Sequence, residues 1–462
     1  MSKAASEPSA PSDPRRLAGA LADAMLAGPW EQDAMLTRMR EVIASRPAWL
    51  TALAGECIAA YPRAPADRPR ELRSFVLISK AFDRAQRAGR RLPKPVVRIT
   101  GPTEMVHRPF PIPVVDHVGA LADYLDLTVN ELDRLADTRL IARRARSQRI
   151  AHYRYRWLQR PTGARLLEAP KSTLAALQRS ILDGLLAPIP VHPAAHGFVA
   201  GRSATTGAAP HVGASVVITL DLEHFFSSIT AGRIWGTLRA AGYPEPVAQL
   251  LAGITTHATS VTALTAMPSG PDRARDYRLR RRLALPHLPQ GAPTSPQLAN
   301  LVAFSLDRRL DAYARAAGAR YTRFADDLTF SGGRSLARRA ESLTSGVERI
   351  VQGAGFRVNP AKTRARHRHQ RQVVTGIVVN ESTNVARPEF DRLRAILHDC
   401  QVNGPAAANR QGHGDFRAHL LGRISWVSAL NPTRGARLRS AFDGAAWVQS
   451  PVEGGQESRP SG

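Results

Sequence analysis

The chain has 462 residues, of which 64 are Lys or Arg and 38 are Asp or Glu, so its formal net charge is +26. This positive excess favours a polyanionic partner, most simply nucleic acid, and no run of about 18 apolar residues predicts a membrane span. The polar N-terminus lacks a signal-peptide layout, which predicts a cytoplasmic protein, and the two cysteines, Cys57 and Cys400, exclude a disulfide framework and a cysteine-rich zinc site.

The first hundred residues predict helices after a polar lead-in. Residues 1–15 are rich in Ser and Pro and are expected to be disordered. Apolar residues then recur at helical spacing, as at Leu17, Leu21 and Met25, and another helix is predicted around residues 71–88. This extension carries no catalytic constellation. Two interpretations stay open: a helical annex packed on the rest of the protein, or a docking module for RNA or an effector protein.

The rest of the chain mixes predicted strands and helices. Thr128 and Glu131 form a capping box, which predicts a helix start. The later predicted elements are, in chain order, a hairpin turning at Pro161, Thr162 and Gly163, a helix over 171–186, a strand ending at Asp221, a basic loop over 271–282, a helix capped by Ser295, a hairpin over 320–332, a helix over 335–354, a strand over 373–380, and helices over 387–446. The tail from 447 to 462 is predicted to be disordered.

Two adjacent aspartates, Asp326 and Asp327, lie at the tip of the predicted hairpin "RYTRFADDLTFSG". Short acidic side chains suit tight turns, so turn formation is one explanation. A magnesium site is the other, and Asp221, which ends an apolar strand 105 residues earlier, could supply a third ligand. Three carboxylates on one sheet edge would repel each other unless cations offset their charge, and two magnesium ions would do so. Three unrelated surface acids remain the alternative.

At this point the chain resembles a known family. The stretches "LDLEHFFSSI", "LPQGAPTSPQLANL" and "RYTRFADDLTFSG", in that order, resemble the palm motifs of reverse transcriptases. "AHGFVAGRS" upstream, and "NPAKT" and "VVTG" downstream, resemble the bacterial retron branch in particular. The resemblance covers about residues 110–445, and six ordered motifs are far more specific than one Asp-Asp pair.

The resemblance implies an α+β fold, the right-hand polymerase, with fingers, a palm built on an antiparallel sheet of ferredoxin or RRM type, and a helical thumb, here with an N-terminal helical extension. The expected domains are a disordered segment over 1–15, the helical extension over 16–105, fingers and palm over 106–375, the primer grip and helical thumb over 376–446, and a disordered tail over 447–462.

The resemblance also implies the metal ligands. Asp221 and Asp326 match the two carboxylates that bridge a pair of Mg²⁺ ions, with the Leu222 carbonyl as a further ligand. Asp327 matches the second aspartate of the family's catalytic pair, and a supporting turn acid is its alternative role.

Five residues match the nucleotide site of the family. Phe226 resembles the residue that stacks under the incoming sugar, where a bulky ring would exclude a 2′-OH. Gln290 and Gly291 match the loop that contacts the incoming nucleotide, and Gly lets a backbone approach a ligand closely. Arg160 and Arg165 flank the first hairpin, as triphosphate-binding residues of the fingers do. A core aromatic, an ordinary turn and a solvated face are the respective alternatives.

Four further positions match motifs that are expected to serve the leaving group, the RNA or the primer. Lys362 in "NPAKT" is one of only five lysines in an arginine-rich chain. An ammonium group can donate a proton to pyrophosphate, which predicts a general acid. His211 fits the retron stretch expected to contact RNA, although Gly207 replaces an amide in it, and Thr375 and Gly376 match the segment that contacts the primer.

The expected function is therefore that of a retron reverse transcriptase. Such an enzyme copies its cognate non-coding RNA from deoxynucleotides into a branched, RNA-linked single-stranded DNA (msDNA), works in anti-phage defence, and can act with an effector protein. No membrane partner is expected. The alternatives are another bacterial reverse transcriptase, from a group II intron or a different defence system, and a non-catalytic RNA-binding scaffold.

Overall fold

The computed structural model describes residues 13–88, 92–144, 151–160 and 163–447, without the side chain of Arg160. The chain forms two compact units, one over 1–190 and 226–302 and the other over 191–225 and 303–462. Most of each predicted disordered terminus, and Pro161 and Thr162 of the predicted turn, lie outside the described residues. The lead-in is shorter than predicted, because the first helix begins at Pro14 and Asp13 caps it.

The elements of the N-terminal half are mainly helices. In chain order they are α1 Pro14–Leu26, α2 Gln32–Ile43, α3 Trp49–Ala60, α4 Pro69–Ile78, α5 Lys80–Arg87, α6 Val118–Tyr124, α7 Val129–Ala136, α8 Ile141–Arg144, β1 Tyr153–Arg160, β2 Gly163–Pro170 and α9 Ser172–Ser180, which continues as a π-helix over Ile181–Leu186.

The second half of the chain contains the remaining strands. Its elements are α10 Ala204–Ala208, β3 Val216–Asp221, α11 Ala231–Ala241, α12 Glu245–Thr255, α13 Val261–Thr265, α14 Arg273–Leu283, α15 Ser295–Ala316, β4 Ala319–Phe324, β5 Asp327–Gly332, α16 Arg334–Arg338, α17 Ala340–Gly353, β6 Arg364–His367, β7 Val373–Val374, β8 Ile377–Val378, α18 Arg387–Val402, α19 Pro405–Ala408, α20 Phe416–Leu430 and α21 Pro432–Asp443. None of the helices described is long and apolar enough to cross a membrane.

Helices α1 to α5 form the predicted helical extension around their own apolar core. Leu17, Leu21 and Met25 are fully buried there, as their spacing predicts. The single helix predicted around 71–88 is two helices, because the chain turns extended at Ser79, whose hydroxyl accepts the Phe82 N–H and caps α5. Thr128 forms the predicted capping box at the start of α7.

The extension packs on helices α11 and α12 within the same unit. Arg239 donates to the Asp67 carboxylate over 2.7 Å, and each side chain is less than a fifth exposed. The Glu245 carboxylate accepts the Arg70 backbone N–H over 2.7 Å, and the Glu245 backbone N–H bonds to the Asp67 carbonyl. These contacts match the helical-annex interpretation of the extension.

Strands β1 and β2 form the predicted hairpin, which packs against α13 and α14. Their register runs from Tyr153 opposite Pro170 to Arg160 opposite Gly163. The predicted basic loop over 271–282 is wrong, because α14 begins at Arg273 with Asp272 as its N-cap. Helix α14 forms because Leu279 and Leu283, four residues apart, reach a small core that includes Leu166 of β2. The number of arginines alone does not reveal this apolar stripe.

The second unit is built on a four-stranded antiparallel sheet in the order β4-β5-β3-β6. Strands β4 and β5 are the predicted hairpin of residues 320–332, and β3 is the predicted strand that ends at Asp221. The helix predicted over 335–354 is interrupted at Arg339, so it forms α16 and α17.

The C-terminal helices α18 to α21 enclose a second apolar core with the β7–β8 hairpin. The strand predicted over 373–380 is instead this short hairpin. Thr375 and Gly376 both have positive φ, 48° and 86°, which is the combination of a type I′ turn. Glycine accepts such angles without strain, but a β-branched threonine does not, so Thr375 is strained there.

Candidate active site

Asp221 and Asp327 lie opposite each other on neighbouring antiparallel strands. Asp221 ends β3 and Asp327 begins β5, so the register pairs their Cα atoms. Asp326 precedes β5 in the tight turn after β4, and its carbonyl accepts the Leu222 backbone N–H over 2.9 Å. The backbone therefore places Asp221, Asp326 and Asp327 at one edge of the sheet.

The turn that carries Asp326 has a strained backbone. Ala325 adopts a φ of 55°, in the left-handed region that favours glycine. Its carbonyl accepts a hydrogen bond of 3.0 Å from Nη1 of Arg323. Gly197 lies against the same turn, and a Cβ on Gly197 would meet the Ala325 nitrogen at 2.6 Å. This close approach explains why the segment "AHGF" has a glycine.

Arg323 is anchored by a buried ion pair. Its Nε and Nη2 donate to the two carboxylate oxygens of Asp307 over 2.7 and 2.6 Å, and both side chains are 0% exposed. The Tyr321 hydroxyl donates to the same carboxylate over 2.8 Å. Burial opposes the charge on the guanidinium, but Asp307 outweighs burial and raises the pKa of Arg323. The backbone of the turn that carries Asp326 is thus held by a charged group inside the unit.

Lys362 reaches the carboxylates from the 3₁₀ turn after Asn359. Its Nζ lies 2.6 Å from Oδ1 of Asp221, while Nδ2 of Asn359 donates to Oδ2 over 3.3 Å. A cavity of about 300 Å³ opens at this edge of the sheet. Its lining is Thr219, Leu220, Asp221, Asp327, Ala361, Lys362, Arg364 and Arg366. Acids at the sheet edge thus face a basic wall, which suits an anionic ligand bound with cations.

The carboxyl of Asp327 is perturbed by its surroundings. Desolvation by the protein raises its pKa to about 6, and the negative charges of Asp326 and Asp221 add to that rise, while Lys362 opposes it. Within the described residues, no three His, Cys, Asp or Glu side chains are arranged to hold a metal ion. The donor set is nevertheless that of Mg²⁺, since carboxylate oxygens are its usual protein ligands and a cation would relieve this repulsion.

His211 has a different place from the one predicted. Its side chain is fully buried, and its two ring nitrogens bond to the hydroxyls of Ser331 and Thr322, each over 2.7 Å. Burial lowers the pKa of His211 to about 4, so the ring is neutral. His211 therefore holds its segment against β4 and β5. Gly207 replaces the expected amide. A Cβ added at Gly207 would lie 3.2 Å from the side chain of His196.

The predicted nucleotide-binding residues lie in the first unit, whereas the carboxylates lie in the second. Arg165 is exposed on β2, and its Nε donates to Oε1 of Gln290 over 2.7 Å. Gly291 needs its glycine, because its φ is 131° and a Cβ would meet the Glu168 carbonyl oxygen at 3.0 Å. Phe226 is half-buried. The side chain of Arg160 lies outside the described residues.

A buried polar network below Gln290 was not found from the sequence. Oε2 of Glu168 lies 2.8 Å from Nε2 of His287, and Nδ1 of His287 lies 2.8 Å from the Leu285 carbonyl oxygen. Both nitrogens face acceptors, so the imidazole is doubly protonated. The Glu168 backbone N–H also bonds to the Gln290 carbonyl. Only the fold reveals this network, because Glu168 and His287 lie 119 residues apart in the sequence.

Comparison with known proteins identifies the family of the chain. The family described as reverse transcriptase (RNA-dependent DNA polymerase) matches residues 156–385. The retron Mx65 reverse transcriptase of Myxococcus xanthus is 44% identical over 63% of this chain and 64% of that protein. The retron Mx162 enzyme of the same organism is 36% identical over 70% and 65%, and the retron Ec86 enzyme of Escherichia coli is 31% identical over 59% and 74%.

A sheet edge that carries paired aspartates, within a match to the reverse transcriptase family, defines the right-hand polymerase class. The chain belongs to that family, and within it to the retron reverse transcriptases. It spans 64% and 65% of the lengths of the two Myxococcus relatives.

Proposed function

We propose that the protein is an RNA-directed DNA polymerase of the retron type, which joins deoxynucleotides to a primer on an RNA template. The observation that carries the proposal is the cross-strand pair of Asp221 and Asp327 with Asp326 in the adjoining turn. Residues from two motifs that lie 105 residues apart in the sequence come to one sheet edge there, which supports nucleotidyl transfer assisted by metal ions.

Asp221, Asp326 and Asp327, with the Leu222 carbonyl, would hold two magnesium ions. When bound, the ions supply positive charge that activates the primer hydroxyl and stabilises the pyrophosphate leaving group. The carboxylates of the chain would position the ions. In the reaction the primer hydroxyl loses its proton to solvent water, a bond forms between its oxygen and the α-phosphorus, and the bond from that phosphorus to the bridging oxygen breaks, so that pyrophosphate leaves.

Lys362 is proposed as the general acid for the leaving group. Its ammonium lines the acid-edged cavity and is about half exposed, so a ligand in the cavity can reach it. The proton on Nζ would pass to the departing pyrophosphate oxygen. Arginine could not do this, because its guanidinium stays protonated in proteins.

The incoming nucleotide would contact residues of the first unit. Arg165 and Gln290 are already bonded to each other, so the hairpin and the loop can act on one ligand together. Arg160 would add a second guanidinium for the triphosphate, Gly291 would let the backbone approach the nucleotide, and Phe226 would exclude a 2′-OH.

The template and primer would lie along the C-terminal part of the chain. The Thr375–Gly376 turn would contact the primer, and α18 to α21 would form the thumb, with the fingers and palm before them. The proposed template is a cognate non-coding RNA, and the product is a branched, RNA-linked DNA that acts in anti-phage defence, with an effector protein as a further partner.

The test uses Asp326→Asn, which keeps the size of the side chain and removes its charge. With magnesium and oligo(dT) on poly(rA), we expect the wild-type protein to incorporate dTTP and the variant to lose at least a hundredfold in rate. Asp311→Asn is the matched control, because Asp311 lies on α15 and its ion-pair partner there is Arg315, which is 73% exposed. Residual activity of Asp326→Asn within tenfold of wild type would contradict the metal assignment, and an inactive wild-type protein would contradict the function itself.

A further inference from the structure

Helix α14 carries a dense set of arginines on a fixed support. Six of its eleven residues are arginine. Leu279 and Leu283 anchor it in the small core with Leu166 of β2. The Asp276 carboxylate accepts the Gly270 backbone N–H over 2.6 Å, which ties the helix to the preceding loop. The orientation of the helix is therefore set by packing, and one face is held outward.

That outward face is defined by Arg273, Tyr277, Arg280 and Arg281. Their spacing of four, seven and eight residues places them on one side of a helix, and all four are exposed. Within the described part of the chain, none of these three arginines pairs with a carboxylate. By contrast, arginines such as Arg239 and Arg323 are paired with aspartates. Three positive charges on this face are thus left for an outside partner.

Tyr277 adds an aromatic surface to the same face. Its side chain is 62% exposed, and the Arg281 guanidinium lies 5.9 Å from the centre of its ring. A large ring at this exposure between arginines contributes nothing to the core of the unit. Exposed rings and guanidinium planes are the groups on which unpaired bases stack, while the arginines suit the phosphates on either side.

The face lies beside the hairpin that carries Arg165. Nε2 of Gln159 on β1 donates to the Ser269 carbonyl over 3.2 Å, and a Cβ on Gly270 would meet the Gly163 Cα at 3.2 Å. A strand bound along α14 would therefore be adjacent to the proposed nucleotide-binding hairpin. Duplex nucleic acid does not offer separated bases to a ring, so the ring favours a single strand.

We propose that the face formed by Arg273, Tyr277, Arg280 and Arg281 binds an unpaired segment of RNA, with a base stacked on Tyr277 and phosphates on the arginines. The choice of RNA over other polyanions rests on the proposed function, in which RNA is the template. The surface itself is assigned from its charge and its exposed ring.

The ring is tested by Tyr277→Ala with Tyr277→Phe as the matched variant. Binding of a fluorescein-labelled 20-nucleotide oligoadenylate RNA is followed by anisotropy. Tyr277→Ala should weaken binding roughly 5- to 100-fold, since stacking on one base has that value, and Tyr277→Phe should not change it. Neither variant should alter binding of a 20-base-pair RNA duplex. Equal loss on the duplex, or no loss with Tyr277→Ala, would overturn the stacking role.

The arginines are tested by the triple variant R273Q/R280Q/R281Q. Each lost contact to single-stranded phosphate lowers the slope of log affinity against log salt by about 0.7, so the slope should fall by about 2. The control R334Q/R338Q/R349Q removes the same charge from exposed positions on α16 and α17. A slope change equal to that of the control would show that α14 is only a solvated face.

Two further measurements separate this proposal from the proposed function. The same Tyr277→Ala loss with oligodeoxyadenylate would overturn the assignment to RNA in favour of single-stranded DNA. Extension of oligo(dT) on poly(rA) by the wild-type protein tests polymerase function separately. Activity there, with unchanged RNA binding in the α14 variants, would refute the α14 surface alone.

Discussion

Replacing Asp307 with Asn should destabilise the second unit strongly. The substitution preserves size and leaves an oxygen for the Tyr321 hydroxyl, but it leaves the charge of Arg323 without a counter-ion at a fully buried position. Removing one partner of a buried pair costs about 3–5 kcal/mol, which is a large part of the usual stability of a domain.

The measurement is thermal unfolding followed by circular dichroism. For a unit of this size, such a loss corresponds to a fall in the melting temperature on the order of 10 °C. The control is Asp311→Asn on the same helix, whose exposed pair with Arg315 should contribute at most about 0.5 kcal/mol. A destabilisation below about 1 kcal/mol in Asp307→Asn would refute the reasoning.

A second variant separates stability from the position of the catalytic turn. Asp307→Asn combined with Arg323→Met removes both charges, so it should recover much of the lost stability. It also removes the donor to the Ala325 carbonyl. We therefore expect primer extension to stay low while stability returns. Recovery of both together would show that the hydrogen bond does not position the turn.

Three further predictions concern the sites of both units. Gly197→Ala should cost about 1–3 kcal/mol and sharply reduce primer extension, because its Cβ has no room at the turn, whereas Gly236→Ala has open space and should be harmless. Phe226→Ala should raise ribonucleotide incorporation more than it lowers deoxynucleotide use, and an unchanged ratio in primer extension would show a purely packing role. Burial lowers the pKa of His287, but the Glu168 carboxylate outweighs burial and raises that pKa. Burial raises the pKa of Glu168, but His287 outweighs burial and lowers that pKa. The pair should therefore stabilise the fold most between about pH 4.5 and 6.5. Its contribution is lost as the pH rises through the raised pKa of His287, or as the pH falls through the lowered pKa of Glu168. The difference in melting temperature between the wild-type protein and His287→Asn should therefore peak in that range.

The acidic edge could be predicted because its members lie where strand patterns end. Asp221 follows an apolar β-branched run, and Asp326 and Asp327 interrupt two others, so strand ends and acids coincide in the sequence. The family motifs then fixed which acids belong together. The strand register brings these positions to one sheet edge, and their role as metal ligands stays a prediction.

The buried polar groups of the two units could not be predicted in the same way. Asp307 lies in a helix and Arg323 in a strand, and in the sequence each looks like an ordinary charged residue. Only the packing shows that both are buried. Glu168 and His287 meet across 119 residues. The burial of His211 could not be predicted either, since a motif suggests importance without saying whether the side chain faces RNA or the interior.

The contacts of the N-terminal extension have a consequence for attempts to shorten the protein. A chain that began after residue 105 would lose Asp67 and Arg70, and with them the partners of Arg239 and Glu245, which is 7% exposed. Such a truncation would have the same effect as a mutation in α11 and one in α12, because it would leave the side chains of Arg239 and Glu245 without these partners. A smaller polymerase would therefore need Arg239 and Glu245 replaced by neutral residues at the same time, and its loss of solubility without them would say nothing about a role of the extension in binding RNA.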